Sequence, residues 1–277
     1  MNKKTIKENF SAILAFSILM GTHSPAFAAL SARDIMVKNE EARKVEDFTG
    51  KAKLNIGSEA DHSEKTKDFS IFRKNQKDGI HNSTLTRFHA PAEVRDEGIL
   101  IVENASGKND VLLYLPAYKK IRRVESQQQS GSFMGSVFSY SDIATPHVED
   151  YQYKELRTEK CPTKEAAAIM CHVIECTPSN NDVRERTGYS KSIMWVRDDN
   201  FMGIAGEYYN LTGEKYKVLE ANEVKIIDEK NKKWMAHQLR MNNLKTKEYT
   251  VLVFKEVQAN KGVSDAVFTQ QNLQKVK

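Results

Sequence analysis

Apolar and polar residues alternate along most of the chain. In the first such segment the apolar positions are Phe48, Gly50, Ala52, Leu54 and Ile56, which is the pattern of a strand with one apolar face. Similar segments predict further strands over 66–75, 80–89, 97–104, 110–116, 119–124, 148–158, 169–177, 189–198, 201–211, 214–228, 233–245 and 248–258. This pattern predicts a mainly β fold with few helices, either a two-sheet sandwich or one strongly curved antiparallel sheet covered by helices.

Two segments have helical spacing instead. The first begins at Ser31, whose spacing to Asp34 is that of a capping box, and Ile35, Met36 and Asn39 then recur on one side. The second is a short terminal helix over 265–276, with Phe268 and Leu273 as apolar anchors. Segment 125–147 is polar and then rich in Gly, Ser and aromatic residues, which predicts a loop containing a short helix.

The N-terminus has the layout of a secretory signal peptide. A basic start with Lys3, Lys4 and Lys7 precedes an apolar run over 10–20, which is too short to span a membrane. Pro25 and the A-x-A sequence over 26–28 follow, so we predict cleavage after Ala28. The alternative is a retained anchor. The domain prediction is a signal peptide over 1–28 and a single domain over 29–277, located in the periplasm.

Charge and motif content argue against several classes of function. The chain has a net charge of +5, of which the signal segment accounts for +2, so the mature protein is only mildly basic and no nucleic-acid partner is expected. The seven histidines are scattered, without zinc-ligand spacing. No nucleophile elbow, P-loop or dinucleotide motif is found. The sequence therefore predicts a protein that is not an enzyme and has no catalytic residue, cofactor or metal.

Three cysteines remain for an oxidising compartment: Cys161, Cys171 and Cys176. Cys171 and Cys176 fall at opposite parity in one predicted strand, so their side chains point to opposite faces and a bridge between them is disfavoured. A disulfide between Cys161 and Cys171 would close a hairpin end, and Cys161–Cys176 is the alternative.

Two groups of side chains are candidates for binding. Phe133, Met134, Phe138 and Tyr140 lie in the Gly- and Ser-rich loop, where they form either a movable lid over an apolar cavity or part of the core. Trp195 is a further lipid-binding candidate, with a core position as its alternative. The second group is basic and alternates around Ile121: Lys119, Lys120, Arg122 and Arg123. It forms either a solvated strand face or a basic rim for head groups or an acidic partner.

The same region carries a family resemblance. Tyr114 to Pro116, Lys119 to Val124 and Ser132 to Asp142 resemble the signature of LolA-like outer-membrane lipoprotein-sorting proteins, in the branch associated with RND/MMPL-type exporters. The resemblance extends along the mature chain through these further segments: Pro91 with 98–100, Thr177-Pro178, 189–198 with Trp195, 216–218, and Asp265 with Phe268-Thr269.

This resemblance implies a half-open β-barrel, in which one curved antiparallel sheet wraps around helices and a lid loop. It implies a monomeric periplasmic carrier that takes a lipid or lipoprotein acyl chain from an inner-membrane RND/MMPL-type exporter to the outer membrane, with transient membrane contact. The alternative is a non-transporting sensor or scaffold module of the same fold, which binds a membrane-protein partner.

Overall fold

The computed structural model describes residues 30–104 and 109–275. The predicted signal peptide and its cleavage site lie outside these residues. The strands are β1 Asp47–Ser58, β2 Glu64–Asn75, β3 Asn82–Ala90, β4 Gly98–Val102, β5 Asp110–Leu115, β6 Lys120–Val124, β7 Tyr151–Lys160, β8 Met170–Pro178, β9 Lys191–Arg197, β10 Gly203–Tyr209, β11 Lys215–Asp228, β12 Lys233–Asn243 and β13 Glu248–Ala259. The α-helices are α1 Ala32–Arg43, α2 Tyr140–Ile143, α3 Asn181–Thr187 and α4 Gln270–Leu273.

All thirteen strands belong to one sheet, and all of them were predicted from the alternating pattern. Consecutive strands pair in antiparallel order, and the first strand also pairs with the last, for example through Leu54 opposite Leu252. Within the described chain, β6 and β7 are consecutive strands that do not pair, and they form the two edges of the sheet. The curved, half-open sheet is therefore confirmed, and the two-sheet sandwich is wrong.

Helix α1 begins as the sequence predicts. The side chain of Ser31 accepts a hydrogen bond from the Asp34 backbone, and the Asp34 carboxylate accepts one from the Ser31 backbone. The buried side of the helix presents Ile35 and Met36, which pack in one cluster with Val196 of β9. This packing fixes the helix within the curve of the sheet, against β7 and β12.

The two faces of the sheet are covered differently. On β2, Ile71 belongs to the main core cluster, together with Phe133 from the segment between β6 and β7. The next residue, Phe72, points to the other face, where it packs in a cluster with Leu273 of α4. The C-terminal residues thus cover the outer face, and the inner face is left for helix α1 and the segment between the edge strands.

Two helices differ from the prediction. The predicted helix over 265–276 is wrong in its extent: a 3-10 turn over Asp265–Phe268 is followed by α4, because the Thr269 side chain caps a new helix start. Helix α3 was not predicted from the sequence, although Asn180 caps its start and Gly188 ends it in the left-handed conformation. Both are recognisable helix-end signals.

The predicted disulfide between Cys161 and Cys171 is confirmed, and the alternative pairing of Cys161 with Cys176 is wrong. Cys161 and Cys171 are bonded, with 10 residues of sequence separation, at the end of the β7–β8 hairpin. Cys176 is a free, buried cysteine. The bridge therefore fastens the edge strand β7 to its one partner, β8.

Candidate functional site

A cavity of about 340 Å³ lies against the inner face of the sheet. Because side chains of a strand point alternately to the two faces, one residue in two lines it, as Phe69 and Ile71 do on β2. Other apolar lining residues, from β10 to β13, are Tyr208, Leu219, Leu239, Met241, Leu252 and Phe254. The wall is continued by Met36, Asn39, Glu40 and Arg43 of helix α1. The resulting cavity is mainly apolar, with a few charged groups in its wall.

The segment from residue 125 to 150, here called the cover segment, connects the two edge strands and closes one side of the cavity. Its centre is a small hairpin in which the Phe133 amide donates to the Phe138 carbonyl at 2.7 Å. The turn of this hairpin has positive φ at Met134 (53°) and Gly135 (77°), as a tight type I′ turn requires. The Val137 amide donates to Thr250 Oγ1 of β13 at 3.0 Å, so the hairpin is bonded to the middle strand of the sheet.

The predicted lid residues all lie in this hairpin or directly after it. Phe133 and Phe138 line the cavity and are only 1% and 3% exposed, so they are also part of the core. Met134 and Tyr140 are half-buried, and the Tyr140 ring meets that of Phe133 edge-on at 5.7 Å between centroids. Their grouping is thus observed, and their movement as a lid stays a prediction.

Trp195 lies elsewhere. It packs with the disulfide cysteines Cys161 and Cys171, and its indole nitrogen donates to Glu159 at 2.8 Å. It is not among the residues that line the cavity. The structure therefore does not bring Trp195 together with the four lid candidates, and its position matches the core alternative.

The predicted basic rim lies on the edge of the sheet. Its four side chains are exposed on or beside β6: Lys119, Lys120, Arg122 and Arg123. Arg123 forms an ion pair with Asp110 on the neighbouring strand. Contact of this rim with head groups or a partner stays a prediction.

A buried polar group holds the helical part of the cover segment. Asp142 of α2 accepts hydrogen bonds from the Tyr189 hydroxyl at 2.9 and 3.0 Å, and Lys217 Nζ of β11 lies 3.7 Å from the same carboxylate. Lys217 and Tyr189 are both buried. Burial raises the pKa of Tyr189 well above its ordinary value, and the nearby Asp142 carboxylate adds to this, so the phenol stays a hydrogen-bond donor.

A second polar group holds the end of the cover segment. The carboxylate of Glu103, 1% exposed, accepts hydrogen bonds from the Thr145 amide at 2.9 Å, from His147 Nε2 at 3.1 Å and from the amide of Asn82 at 2.7 Å. Burial acts to raise the pKa of Glu103, but the bonds from His147 and Thr145 outweigh it and the pKa is lowered. The same bond to Glu103 raises the pKa of His147.

Two arginines in the cavity wall were not singled out from the sequence. Arg43 stands in the last turn of α1, and Arg73 occupies the same parity on β2 as the buried apolar residues Phe69 and Ile71. An arginine on the apolar side of an alternating strand is the signal that could have identified this position. Arg73 donates from Nε to Thr84 Oγ1 at 3.1 Å and from Nη2 to the Ile143 carbonyl of the cover segment at 3.0 Å.

Within the part of the chain that the structure describes, no helix is long and apolar enough to cross a membrane. Among the same residues, no group of three or more His, Cys, Asp or Glu side chains is arranged to hold a metal ion.

The sequence is similar to one protein family. A family model with the description "Uncharacterized protein" matches residues 81–275, which is more than half of the chain. The chain belongs to that family. No curated protein matches the sequence.

Solved structures identify the fold as LolA-like. A DUF1329 family protein from Desulfovibrio piger is 26% identical with a TM-score of 0.80, covering 87% of this chain and 97% of its own. A protein from Vibrio parahaemolyticus, named for outer membrane lipoprotein sorting, is 24% identical with a TM-score of 0.79, covering 88% and 98%. A LolA superfamily protein from Nitrosomonas europaea is 22% identical with a TM-score of 0.69, covering 88% and 100%. The LolA-like resemblance seen in the sequence is thus confirmed.

Proposed function

We propose that this LolA-like protein is a carrier that shields an acyl chain of a lipid or lipoprotein in the cavity. The observation that carries the proposal is an apolar cavity enclosed by the inner sheet face, helix α1 and the cover segment. Each methylene moved out of water contributes about 0.8 kcal/mol, so an apolar wall supplies the binding energy without any cofactor. The protein has no catalytic step in this function.

The proposed route runs through the periplasm, from an inner-membrane transporter of the RND/MMPL type to the outer membrane. The signal-peptide pattern supports the compartment. The name of the Vibrio parahaemolyticus protein, which refers to outer membrane lipoprotein sorting, supports the cargo class. The protein acts as a monomer that contacts membranes transiently, and the exposed rim from Lys119 to Arg123 is the surface proposed to meet head groups or the partner.

Native mass spectrometry of the mature protein purified from the periplasm tests the carrier function, followed by lipid extraction. We expect a bound lipid or acylated peptide, or uptake of a fluorescent fatty acid by the purified protein. An apo mass together with no uptake would contradict the carrier function and favour a module that binds a protein partner.

Filling the cavity tests whether it is the binding site. Because Phe133 and Phe138 are core residues, charged substitutions there would also disturb folding. Ala236→Phe instead adds an apolar ring to a residue of the cavity wall. We expect at least tenfold weaker fatty-acid binding with the thermal midpoint largely kept. Ala205→Phe on β10, outside the cavity lining, is the matched control. Equal binding by both variants would exclude this cavity.

A further inference from the structure

We infer that the cavity recognises an anionic single-chain amphiphile, whose carboxylate or phosphate head is held between Arg43 and Arg73 while its chain lies along the apolar wall. This inference rests on the proposed carrier function and names its cargo class. The observation that carries the inference is that Arg43 and Arg73 both line a cavity whose wall is otherwise mainly apolar.

Both guanidinium groups have unused hydrogen-bonding capacity. An arginine offers five N–H donors. Arg43 uses its Nε for the Asn39 carbonyl of its own helix at 3.1 Å, and Arg73 uses Nε and Nη2 for Thr84 and Ile143. Neither arginine takes part in an ion pair among the described residues. The remaining donors can therefore serve a ligand.

The two charges are in an environment where an anion is strongly favoured. Burial lowers the pKa of Arg43, the nearby Glu40 carboxylate partly offsets this, and the positive charge of Arg73 lowers it further. Burial also lowers the pKa of Arg73. Arginine nevertheless stays protonated at neutral pH, so the wall holds two half-buried like charges without an ion-pair partner. An entering anion relieves the mutual repulsion and can accept hydrogen bonds from the remaining donors.

The acidic residues nearby are occupied elsewhere. Glu40 lines the cavity, but its Oε2 accepts the Val148 amide at 3.0 Å. Asp142 is engaged by Tyr189 and Lys217. Glu103, which acts electrostatically on Arg73, is engaged by Asn82, Thr145 and His147. These carboxylates hold the cover segment or its neighbours, and none of them forms an ion pair with Arg43 or Arg73.

The size of the cavity indicates one chain. Its volume of about 340 Å³ is at the small end of the range of roughly 300–1,000 Å³ that is usual for small-molecule sites. The apolar wall continues from Arg73 to Ile71 and Phe69 on the same strand and to Leu252 and Phe254 across the sheet. A head group at the arginine pair would thus leave one chain in contact with apolar side chains.

The ligand comparison uses wild-type protein and probes with the same chain. Isothermal titration calorimetry, with every probe below its critical micelle concentration, would compare laurate and dodecyl phosphate with neutral dodecanol and cationic dodecyltrimethylammonium. We expect both anionic probes to bind at least tenfold more tightly than dodecanol and the cationic probe. Inorganic phosphate alone, tested at the same concentrations, should bind much more weakly than dodecyl phosphate.

The variants Arg43→Gln and Arg73→Gln test the residues. Each should weaken laurate binding about tenfold and leave dodecanol binding within twofold, while Arg43→Lys and Arg73→Lys, which keep the charge, should retain most of the preference. Arg240→Gln is the matched control, because Arg240 lies outside the cavity lining and its Nε donates to Asn242 at 3.0 Å. It should leave the preference for anions unchanged.

The outcomes separate this inference from the carrier function. Equal binding of laurate and dodecanol, or an unchanged preference in both glutamine variants, would overturn the arginine site and leave the carrier function standing. Phosphate binding as tight as dodecyl phosphate would show a site for small anions and overturn the amphiphile. Failure of every chain-bearing probe would overturn the carrier function itself.

Discussion

The pair of Glu103 and His147 illustrates how single residues hold the cover segment. The lowered pKa of Glu103 means that its contribution to stability is present above its ordinary value of 4.5 and is lost as pH falls through its value in the folded protein. The raised pKa of His147 has the opposite sign: its contribution is complete below 6.5 and is lost as pH rises through the folded value. The pair therefore stabilises the protein most between pH 4.5 and pH 6.5, where both contributions are present.

Replacing His147 by glutamine should remove the loss of stability that occurs as pH rises through the pKa of His147. We expect His147→Gln to lower the free energy of unfolding by about 1–3 kcal/mol at pH 6, with a smaller difference at pH 9, because the lost hydrogen bond is to a charged group. Urea unfolding at both pH values measures this. His172→Gln, which removes the more exposed pair with Glu155, is the control. The same loss at both pH values would contradict the prediction.

Tyr189 is the second residue that ties the cover segment to the sheet. Tyr189→Phe removes the hydroxyl from Asp142 and leaves this half-buried carboxylate with the Ser139 amide at 2.8 Å and Lys217 at 3.7 Å. We expect a loss of about 1–3 kcal/mol in the free energy of unfolding. Hydrogen exchange of residues 140–144 should become faster.

Tyr209→Phe is the control, since it removes a hydroxyl bonded to Glu207 in a less buried place. If both variants exchanged at the wild-type rate in this segment, the Tyr189 hydroxyl would not be what holds it.

At the scale of elements, the disulfide acts on one hairpin. Cys161–Cys171 closes a short loop between β7 and β8, and among the described strands β7 pairs with β8 alone. We expect Cys161→Ala with Cys171→Ala to cost about 3 kcal/mol, because a loop of this length constrains the unfolded chain to that extent. The packing of Trp195 against both cysteines provides a fluorescence signal for local loosening.

Thermal unfolding of this double variant gives the global stability. The wild-type protein with a reductant serves as an independent check, since it keeps both side chains. An unchanged thermal midpoint in both experiments would show that the hairpin is held without its covalent link.

The elements were predictable to different degrees for physical reasons. All thirteen strands carry a period-two pattern that the local sequence expresses directly, and the capping box of Ser31 and Asp34 is equally local. Helix α3 has only seven residues, so its periodicity is short, although its end signals at Asn180 and Gly188 were readable.

The site was less predictable because it depends on contacts between distant segments. Phe133 and Phe138 were identified from the composition of their loop, and both line the cavity. Arg43 and Arg73 line the same cavity from a helix and from a strand, and no spacing along the chain encodes this. Trp195 was grouped with the lid residues by residue type, whereas the alternation of β9 places it against the disulfide.

At the scale of the whole molecule, the first prediction concerns the mature chain. The A-x-A sequence predicts that the mature protein begins with Ala29-Leu30-Ser31, which places the N-cap of α1 within three residues of the new terminus. N-terminal sequencing of the periplasmic fraction measures this. Ala28→Lys should cause the precursor to accumulate, because the cleavage site requires small residues. A protein that keeps Met1 would contradict the prediction.

The order of strands has a mechanical consequence. The strands β6 and β7 follow each other along the chain but stand at opposite edges of the sheet. The cover segment therefore connects the two edges and limits how far apart they can move. Widening the gap, as a larger guest would do, breaks no strand pairing but must stretch the cover segment and pull against its attachments at Thr250, Tyr189 and Glu103. A guest of that size would thus load these three buried attachments, and the cover segment would yield at them before any strand of the sheet separates.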